Sequence, residues 1–170
     1  MLTIRQESPS DYKQVEELIT LAFNGSPHSD GQEADLVQRL RQDPAYHPKL
    51  SLIAADEKEM VGHVLLTEIK VEKSRALALA PLSVHPLYQG KGIGRQLLLE
   101  AENVAKKEGY DTIIILGDPA YYSRFGYQTA SDYGIKPPFE VDNQYFMVKF
   151  LEEKAEQVRG LVTYPSVFGI

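Results

Sequence analysis

Two hydrophobic periodicities divide this chain into strands and helices. Apolar residues that alternate with polar ones, or that form a short continuous run, predict strands over residues 2–6, 50–55, 60–71, 76–84, 112–116 and 145–151. Apolar residues three and four apart predict helices over residues 9–23, 33–40 and 93–107, and a small helix over residues 119–125. Ser8 and Asp11 form a capping pattern before the first helix, and Asp30 and Glu33 form another before the second. The residues after 151 are predicted to be an irregular tail.

The order of these elements predicts the fold class. A hairpin of residues 50–71 precedes a strand, a loop, a helix and another strand, which indicates a mixed α/β fold with one central sheet. Residues 76–84 are almost continuously apolar, as in a strand covered on both faces, yet Pro81 cannot donate a ladder hydrogen bond and therefore implies a bulge or a splayed strand. With 170 residues and no linker or repeat, we expect a single domain over residues 1–170.

Composition narrows the chemistry that the chain can perform. Apolar residues make up 43% and charged residues 25%, which is ordinary for a globular protein. The absence of cysteine excludes a thiolate nucleophile, and four scattered histidines without a His-x-x-x-His pair predict no metal site, with His28 expected on a surface loop. The net charge of −6 argues against nucleic acid as a partner. Without an apolar signal segment or membrane span, we expect a cytoplasmic protein.

The loop at residues 89–95 carries the most specific pattern, because it joins a buried strand to an amphipathic helix and contains three alternating glycines, Gly90, Gly92 and Gly94. Without Cβ atoms, these residues can adopt positive φ angles, so that successive backbone N–H groups point into one concavity. The helix start adds unpaired amides and the positive end of its dipole, while Lys91 and Arg95 add charge. The loop therefore predicts a cradle for a pyrophosphate.

Other interpretations of this loop are open. Glycines alone also suit a tight turn between a strand and a helix. The phosphate loop of nucleotide triphosphatases is excluded, because no Gly-x-x-x-x-Gly-Lys-Ser/Thr occurs. A dinucleotide fingerprint would require glycine or alanine at Arg95, although Asp118 closes the next strand where a ribose-binding acid would lie. A nicotinamide-dependent enzyme is therefore the weaker alternative.

Two motifs resemble those of the GNAT family of N-acetyltransferases. Residues 89–94, Gln-Gly-Lys-Gly-Ile-Gly, match the family's coenzyme A loop, Gln/Arg-x-x-Gly-x-Gly/Ala, and residues 122–127, Tyr-Ser-Arg-Phe-Gly-Tyr, are similar to its Tyr-x-x-x-Gly-Phe segment. Residues 116–122, Leu-Gly-Asp-Pro-Ala-Tyr-Tyr, look like those of one bacterial subgroup. The resemblance covers residues 2–150 and implies the family's fold, a mixed, mostly antiparallel sheet with two splayed parallel strands, flanked by helices.

The resemblance also implies an activity, the direct transfer of an acetyl group from acetyl-coenzyme A (acetyl-CoA) to an amine within a ternary complex. Backbone atoms of Val84, with Ser83 nearby, would hold the pantetheine arm. The pyrophosphate would be held by the loop, that is by Gln89, Gly90, Lys91, Gly92, Ile93, Gly94 and Arg95. A homodimer is common in the family. The acceptor amine cannot be read from these motifs.

By the same resemblance, Tyr122 is the acid that protonates the departing thiolate. Tyr121 is its competitor, and because adjacent helical residues point about 100° apart, only one of the two is expected to face the thioester. A base or a desolvating pocket is also required, since an amine with a pKa of ~10.4 is mostly charged at pH 7. Glu33 is the candidate base, with Glu68 and His85 as alternatives.

Two other classes of function use the same loop. A non-enzymatic sensor of acyl-coenzyme A would keep the cradle without an acceptor site, and release of free thiol in the presence of amines would distinguish a transferase from it. A nicotinamide-dependent enzyme would bind its dinucleotide at the loop, and equilibrium binding of both cofactors would distinguish that enzyme from a transferase.

Overall fold

The structure, a computed structural model, describes residues 1–27, 29–153 and 157–170; the expectation for His28 lies outside the described residues. The strands are β1 Leu2–Gln6, β2 Ser51–Asp56, β3 Glu59–Val71, β4 Ser74–Val84, β5 Thr112–Leu116, β6 Gln128–Thr129, β7 Ile135–Lys136, β8 Phe146–Phe150 and β9 Gly160–Thr163. The helices are α1 Tyr12–Phe23, α2 Glu33–Leu40, α3 Ile93–Lys107 and α4 Pro119–Tyr122. No helix within these ranges is long and apolar enough to cross a membrane.

One central sheet organises the chain in the order β1-β2-β3-β4-β5-β8-β6. Neighbours along this order are antiparallel except β4 and β5, which are parallel. β9 pairs with β3 at Lys70 and Val71, beyond the end of β2, and in parallel with the short β7. The predicted fold class, a mixed and mostly antiparallel sheet flanked by helices, is confirmed.

Helices pack on both faces of this sheet. On one face, α3 packs through Leu97 and Leu98 onto sheet residues such as Val64, Leu66 and Leu77. On the other face, α1 and α2 pack onto Ile53 and Leu65 through Val15, Ile19, Val37 and Leu40. Because successive strand residues point to opposite faces, Leu65 and Leu66 belong to different layers. The polar atoms of β3 and β4 are consequently divided between an α3 side and an α1 side.

A bulge interrupts the pairing of β3 with β4 at Pro81. Val64 lies opposite Leu82 and Leu66 lies opposite Leu79, so two steps along β3 match three along β4. The extra residue on β4 gives Pro81 a place where its missing N–H does not break the ladder. This confirms the bulge that the proline implied.

The parallel strands β4 and β5 diverge soon after they meet. Leu77 pairs with Ile113 and Ala78 pairs with Ile114, and the described chain has no further residue pairs between these two strands. Beyond Ala78, the edge of β4 that faces β5 therefore has no strand partner. The two predicted splayed strands are confirmed.

The starts of α1 and α2 differ in their capping. Before α1, the amide of Ser8 donates to Asp11 Oδ2 over 2.8 Å, as the capping pattern predicts. α2 does begin at Glu33, but the predicted capping box is wrong. The cap residue is Gln32, and the Glu33 carboxylate instead accepts the hydroxyl of Ser29, with oxygen–oxygen distances of 2.7 and 2.8 Å. The Glu33 side chain therefore folds back on its own loop.

The C-terminal segment is ordered into the sheet, so the prediction of an irregular tail is wrong. Val162 in β9 is fully buried, and Val167 and Phe168 pack on the cluster formed with α1 and α2. β9 has only four residues and starts at a glycine, so no hydrophobic period is long enough to reveal it. Residues 154–156 lie outside the described chain.

Candidate functional site

A cavity of about 490 Å³ lies between the end of β4, the glycine loop and α4. Its lining residues are Leu82, Val84, Tyr88, Gln89, Gly90, Gly92, Ile93, Gly94, Arg95, Tyr121, Tyr122, Arg124 and Phe125. Most of the residues predicted for the pyrophosphate and Tyr122 thus come together in one place. Ser83 and Lys91 are predicted residues that do not line it.

The glycine loop leaves backbone amides unpaired at the start of α3. Gly90 and Gly92 have φ angles of 78° and 82°, a region that side-chain-bearing residues rarely adopt. Gly92 is the residue from which α3 begins. In the described chain, the amides of residues 93–95 have no backbone acceptor, as expected for the first turn of a helix. They are available to an anionic ligand at the positive end of the helix dipole.

The charges around the cavity suit an anion. Arg95 and Arg124 line it, and no lining residue carries a carboxylate. Arg124 also stacks on the ring of Tyr121, 5.0 Å from its centroid, which holds the guanidinium at the wall. Lys91 does not line the cavity, and its ammonium lies 5.2 Å from the centroid of the ring of the lining residue Tyr88. Free amides, two guanidiniums and glycines without Cβ atoms together fit a diphosphate.

The end of β4 offers backbone rather than side-chain groups to this cavity. Val84 lines it, and the Gln89 side-chain amide donates to the Val84 carbonyl over 3.2 Å, which ties the loop to the strand. Ser83 stands between Leu82 and Val84, and its side chain points to the other face of the sheet, the α1 side. There its hydroxyl is buried without a partner in the described chain. Only the backbone of Ser83 can therefore face a ligand in this cavity.

The two adjacent tyrosines of α4 occupy different positions. The Tyr122 ring covers Gly117 so closely that a Cβ atom there would lie 2.5 Å from its Cε2. Its hydroxyl makes no hydrogen bond with any described residue, and burial raises the Tyr122 pKa. The Tyr121 hydroxyl lies against α3 instead, because a Cβ on Gly94 would be 2.6 Å from it. The Tyr122 side chain thus packs at the end of β5, whereas the Tyr121 side chain packs at the glycine loop.

The three candidate bases lie outside the cavity. Glu33 lines a separate cavity of about 370 Å³ that shares no lining residue with the first. Glu68, on β3, accepts a hydrogen bond from the hydroxyl of Tyr110 and pairs with Arg75. His85 caps the turn after β4 by accepting the amide of Leu87 over 3.1 Å. Glu33 as base stays a prediction that this geometry does not test.

Sequence reasoning did not assign a role to some of the residues that line the cavity, and it did not predict the capping contact of Asp118. Leu82, Arg124 and Phe125 line the cavity without an assigned role, although Arg124 and Phe125 stand inside the Tyr-x-x-x-Gly motif. Asp118, the candidate ribose-binding acid, accepts the amide of Ala120 over 2.9 Å and so caps α4. Within the described ranges, no cluster of three or more His, Asp or Glu side chains is placed to hold a metal ion.

Comparison with known proteins finds relatives along nearly the whole chain. The sequence model described as the acetyltransferase (GNAT) family matches residues 12–127. Uncharacterized N-acetyltransferase YhbS of Escherichia coli K12 is 34% identical over 98% of both chains, and N-acetyltransferase YjhQ of the same strain is 37% identical over 80% of this chain and 75% of its own.

Solved structures give the same result. The crystal structure of E. coli YhbS in complex with CoA has a TM-score of 0.90 at 31% identity and covers 99% of this chain and 92% of its own. A GNAT family acetyltransferase from Brucella melitensis in complex with acetyl-CoA has a TM-score of 0.82 at 26% identity over 99% and 98% of the two chains. The motifs in the glycine loop and α4, the splayed sheet and these matches agree. The chain belongs to the GNAT family of N-acetyltransferase enzymes.

Proposed function

We propose that this protein transfers the acetyl group of acetyl-CoA directly to an amine within a ternary complex, and that residues 1–170 act as one domain. One observation carries the proposal: a single cavity combines the unpaired amides at the start of α3, two guanidiniums and the free edge of β4. A diphosphate joined to an extended amide chain matches these groups. The CoA and acetyl-CoA complexes of the two solved relatives support the same ligand.

The residues of the cavity divide the binding task. The amides of residues 93–95, with the guanidinium of Arg95, would hold the diphosphate. The backbone of β4 at Ser83 and Val84 would bind the pantetheine amides as a neighbouring strand does, because this edge has no strand partner beyond Ala78. Acetyl-CoA itself supplies the activated acyl group.

Tyr122 is the proposed proton donor to the leaving sulfur. Its hydroxyl is free of other hydrogen bonds in the described chain, and its raised pKa keeps the phenol protonated at neutral pH. The packing of its ring over Gly117 fixes the hydroxyl at the end of β5. A phenol that is protonated, fixed and without a competing partner is suited to this step.

The function is tested by incubating the protein with acetyl-CoA and a panel of amines that includes polyamines, amino sugars, amino acids and peptides, with detection of free thiol. We expect thiol release that depends on one amine class, and a mass increase of one acetyl group on that amine. Tight CoA binding with no release for any amine would instead support an acyl-CoA sensor. Binding of a nicotinamide dinucleotide in preference to CoA would refute the proposal.

A further inference from the structure

A buried polar cluster lies on the α1 side of the sheet, and the proposed function does not use it. It consists of Glu7, Arg41, Ser51 and His63. The side chains of Glu7 and His63 are fully buried, and Arg41 is only 4% exposed. Burying so many charged and polar groups is costly unless each is well paired, so their arrangement is informative.

The contacts of Glu7 determine which nitrogen of His63 carries its proton. His63 Nε2 lies 3.0 Å from Glu7 Oε2 and 3.0 Å from Ser51 Oγ, and Ser51 Oγ also donates to Glu7 Oε2. The Glu7 carboxylate is held ionised by Arg41 Nε, 3.0 Å from its other oxygen, and can only accept hydrogen bonds. His63 Nε2 must therefore be the donor. In the neutral imidazole, Nδ1 is then an unprotonated base.

Neutral imidazole is the state that this environment favours. Burial lowers the His63 pKa, and the nearby Arg41 lowers it further, while Glu7 acts in the opposite direction. Among the described residues, Glu7 and Arg41 are the charged groups that act on the ring. The same carboxylate that fixes the tautomer would stabilise the ring once it took up a proton.

His63 stands between the strand that holds the partners of its Nε2 and the neighbouring strand β4. Glu7 and Ser51, the partners of His63 Nε2, both lie on the β2 side of β3. On the other side, the register partner of His63 is Ser83. Both His63 Nδ1 and Ser83 Oγ are buried without a hydrogen-bond partner in the described chain. Buried polar atoms are nearly always paired, so this couple indicates a shared partner from outside the chain, such as water or a substrate N–H.

Ser83 connects this cluster to the proposed reaction. It stands between Leu82 and Val84, which line the cavity, on the part of β4 that has no strand partner towards β5. Because the strands diverge there, a group bound at the opening can be reached from both faces of the sheet. The Ser83 hydroxyl is on the α1 side and only 1% exposed, so an acceptor amine would reach it only through the opening where the strands diverge.

We propose that His63 is a positioning residue for the acetyl transfer, which receives through Ser83 the proton that the acceptor amine loses, with Glu7 holding its tautomer. This inference rests on the proposed function. The acceptor starts as an ammonium, and its first proton goes by way of the Ser83 hydroxyl and one water to His63 Nδ1 and from there to solvent. The neutral amine nitrogen then forms a bond with the acetyl carbon, the carbon–sulfur bond breaks, and the sulfur takes the phenolic proton of Tyr122. The second nitrogen proton returns through solvent to Tyr122, so the net products are the N-acetyl amine, the free thiol and one proton.

The first test needs no turnover. Nitrogen-15 NMR of histidine-labelled protein at pH 7, with His63→Gln used for assignment, should show His63 as the neutral tautomer protonated at Nε2. A His63 protonated at Nδ1, or charged at pH 7, would overturn the proposal, because no free base would then face Ser83.

The second test uses turnover as a function of pH in His63→Gln, whose side-chain amide can still donate to Glu7 but cannot take up the proton. At pH 7 we expect kcat to fall by about 10²-fold while the CoA dissociation constant stays within about twofold. The loss should shrink as pH rises, by about tenfold per pH unit, because the amine then loses its proton to solvent. A merely structural defect would lower kcat by the same factor at every pH.

His47→Gln is the matched control. His47 also pairs through Nε2 with a glutamate, Glu108, at 2.9 Å and also has a buried Nδ1 without a partner, but it lies at the opposite end of α3 from the glycine loop. Its pH profile should equal that of the wild type. Ser83→Ala, which leaves the ion pairs intact, should reproduce the pH-dependent loss and decides the question if His63→Gln does not fold.

The outcomes separate the two proposals. If the wild type transfers acetyl and both variants keep its pH profile, or lose the same factor at all pH values, the role of His63 is refuted and the function stands. If the wild type releases no thiol with any amine, the proposed function fails and the role of His63 fails with it.

Discussion

At the scale of single residues, the site shows that neighbours of the same type can have different tasks. Tyr121 and Tyr122 are adjacent in α4, yet one hydroxyl lies against Gly94 and the other is fixed at the end of β5 by Gly117. The motif alone could rank them only by their offset from Gly126. Packing provides a separate reason, because the Tyr122 hydroxyl has no competing partner in the described chain.

Tyr122→Phe keeps the ring that covers Gly117 and removes only the hydroxyl. If the phenol donates the proton to sulfur, kcat should fall by about 10²-fold, or about 2.7 kcal/mol of transition-state stabilisation, with little change in the CoA dissociation constant. Tyr121→Phe is the control and should keep at least most of the wild-type kcat. Steady-state kinetics with the best amine, together with thermal melts, measure this. If kcat falls in Tyr121→Phe and is unchanged in Tyr122→Phe, the proton donor is Tyr121.

Asp11, at the start of α1, should make stability depend on acid pH. The guanidinium of Arg5, 2.7 Å away, and the amide of Ser8 hold the Asp11 pKa well below its usual range. A carboxylate with a lowered folded-state pKa stabilises the fold fully above its unfolded pKa of about 3.9, and this contribution declines below that value and is lost as pH falls through the folded-state pKa.

Asp11→Asn should therefore cost about 2 kcal/mol at pH 7 and progressively less towards pH 3, measured by urea unfolding at several pH values. Asp35→Asn is the control, because the Asp35–Arg39 pair on α2 is mostly exposed and should contribute little. Equal losses at pH 7 and pH 3 would contradict the role given to Arg5.

At the scale of elements, what the sequence could reveal depended on how local each signal is. Long strands and helices repeat their period several times, so β3, β4 and α3 are predictable, whereas the two-residue strands β6 and β7 repeat none. The glycine loop is contiguous in sequence and was predictable for the same reason. The buried cluster was not, because Glu7, Ser51 and His63 meet only when three strands pair.

The two ends of α3 provide a matched test of the loop. Gly92 and Gly109 have φ angles of 82° and 88°, and an added Cβ would meet nothing within 4 Å at either position. Alanine at each should cost a similar amount of stability, about 1 kcal/mol, from the left-handed backbone. Only Gly92→Ala adds a methyl group to the lining of the cavity and disturbs the first-turn amides. We expect CoA to bind at least about tenfold more weakly to Gly92→Ala and unchanged to Gly109→Ala, by calorimetric titration. Equal affinities would mean that the diphosphate does not lie at this helix start.

At the scale of the whole molecule, the sheet separates the groups that would bind the diphosphate from the buried polar cluster. The α3 side carries the diphosphate groups, and the α1 side carries the buried cluster, with the opening between β4 and β5 connecting them. The C-terminal strand β9 reinforces this arrangement by lengthening the sheet beside β3. Helices therefore lie on both broad faces, the segments around Ile135 and Val162 cover the rest of the α1 side, and the diverging edges lie between the two sides.

Those diverging edges also bear on how the protein survives heating. An unpaired strand edge is a template on which another chain can add, and ordinary sheets protect such edges at their margins, whereas here the edge lies in the middle of the fold. A ligand that lies along β4 as a strand would remove this liability, and an anion held only at the helix start would not. Each ligand is added at a concentration that gives the same fractional occupancy, and light scattering is followed during heating. Aggregation should begin at a higher temperature with CoA than with ADP, which has the diphosphate but no pantetheine. If both ligands delay aggregation equally, the cofactor protects only by stabilising the fold; if CoA does more, the pantetheine arm acts as a missing strand that keeps the chains apart.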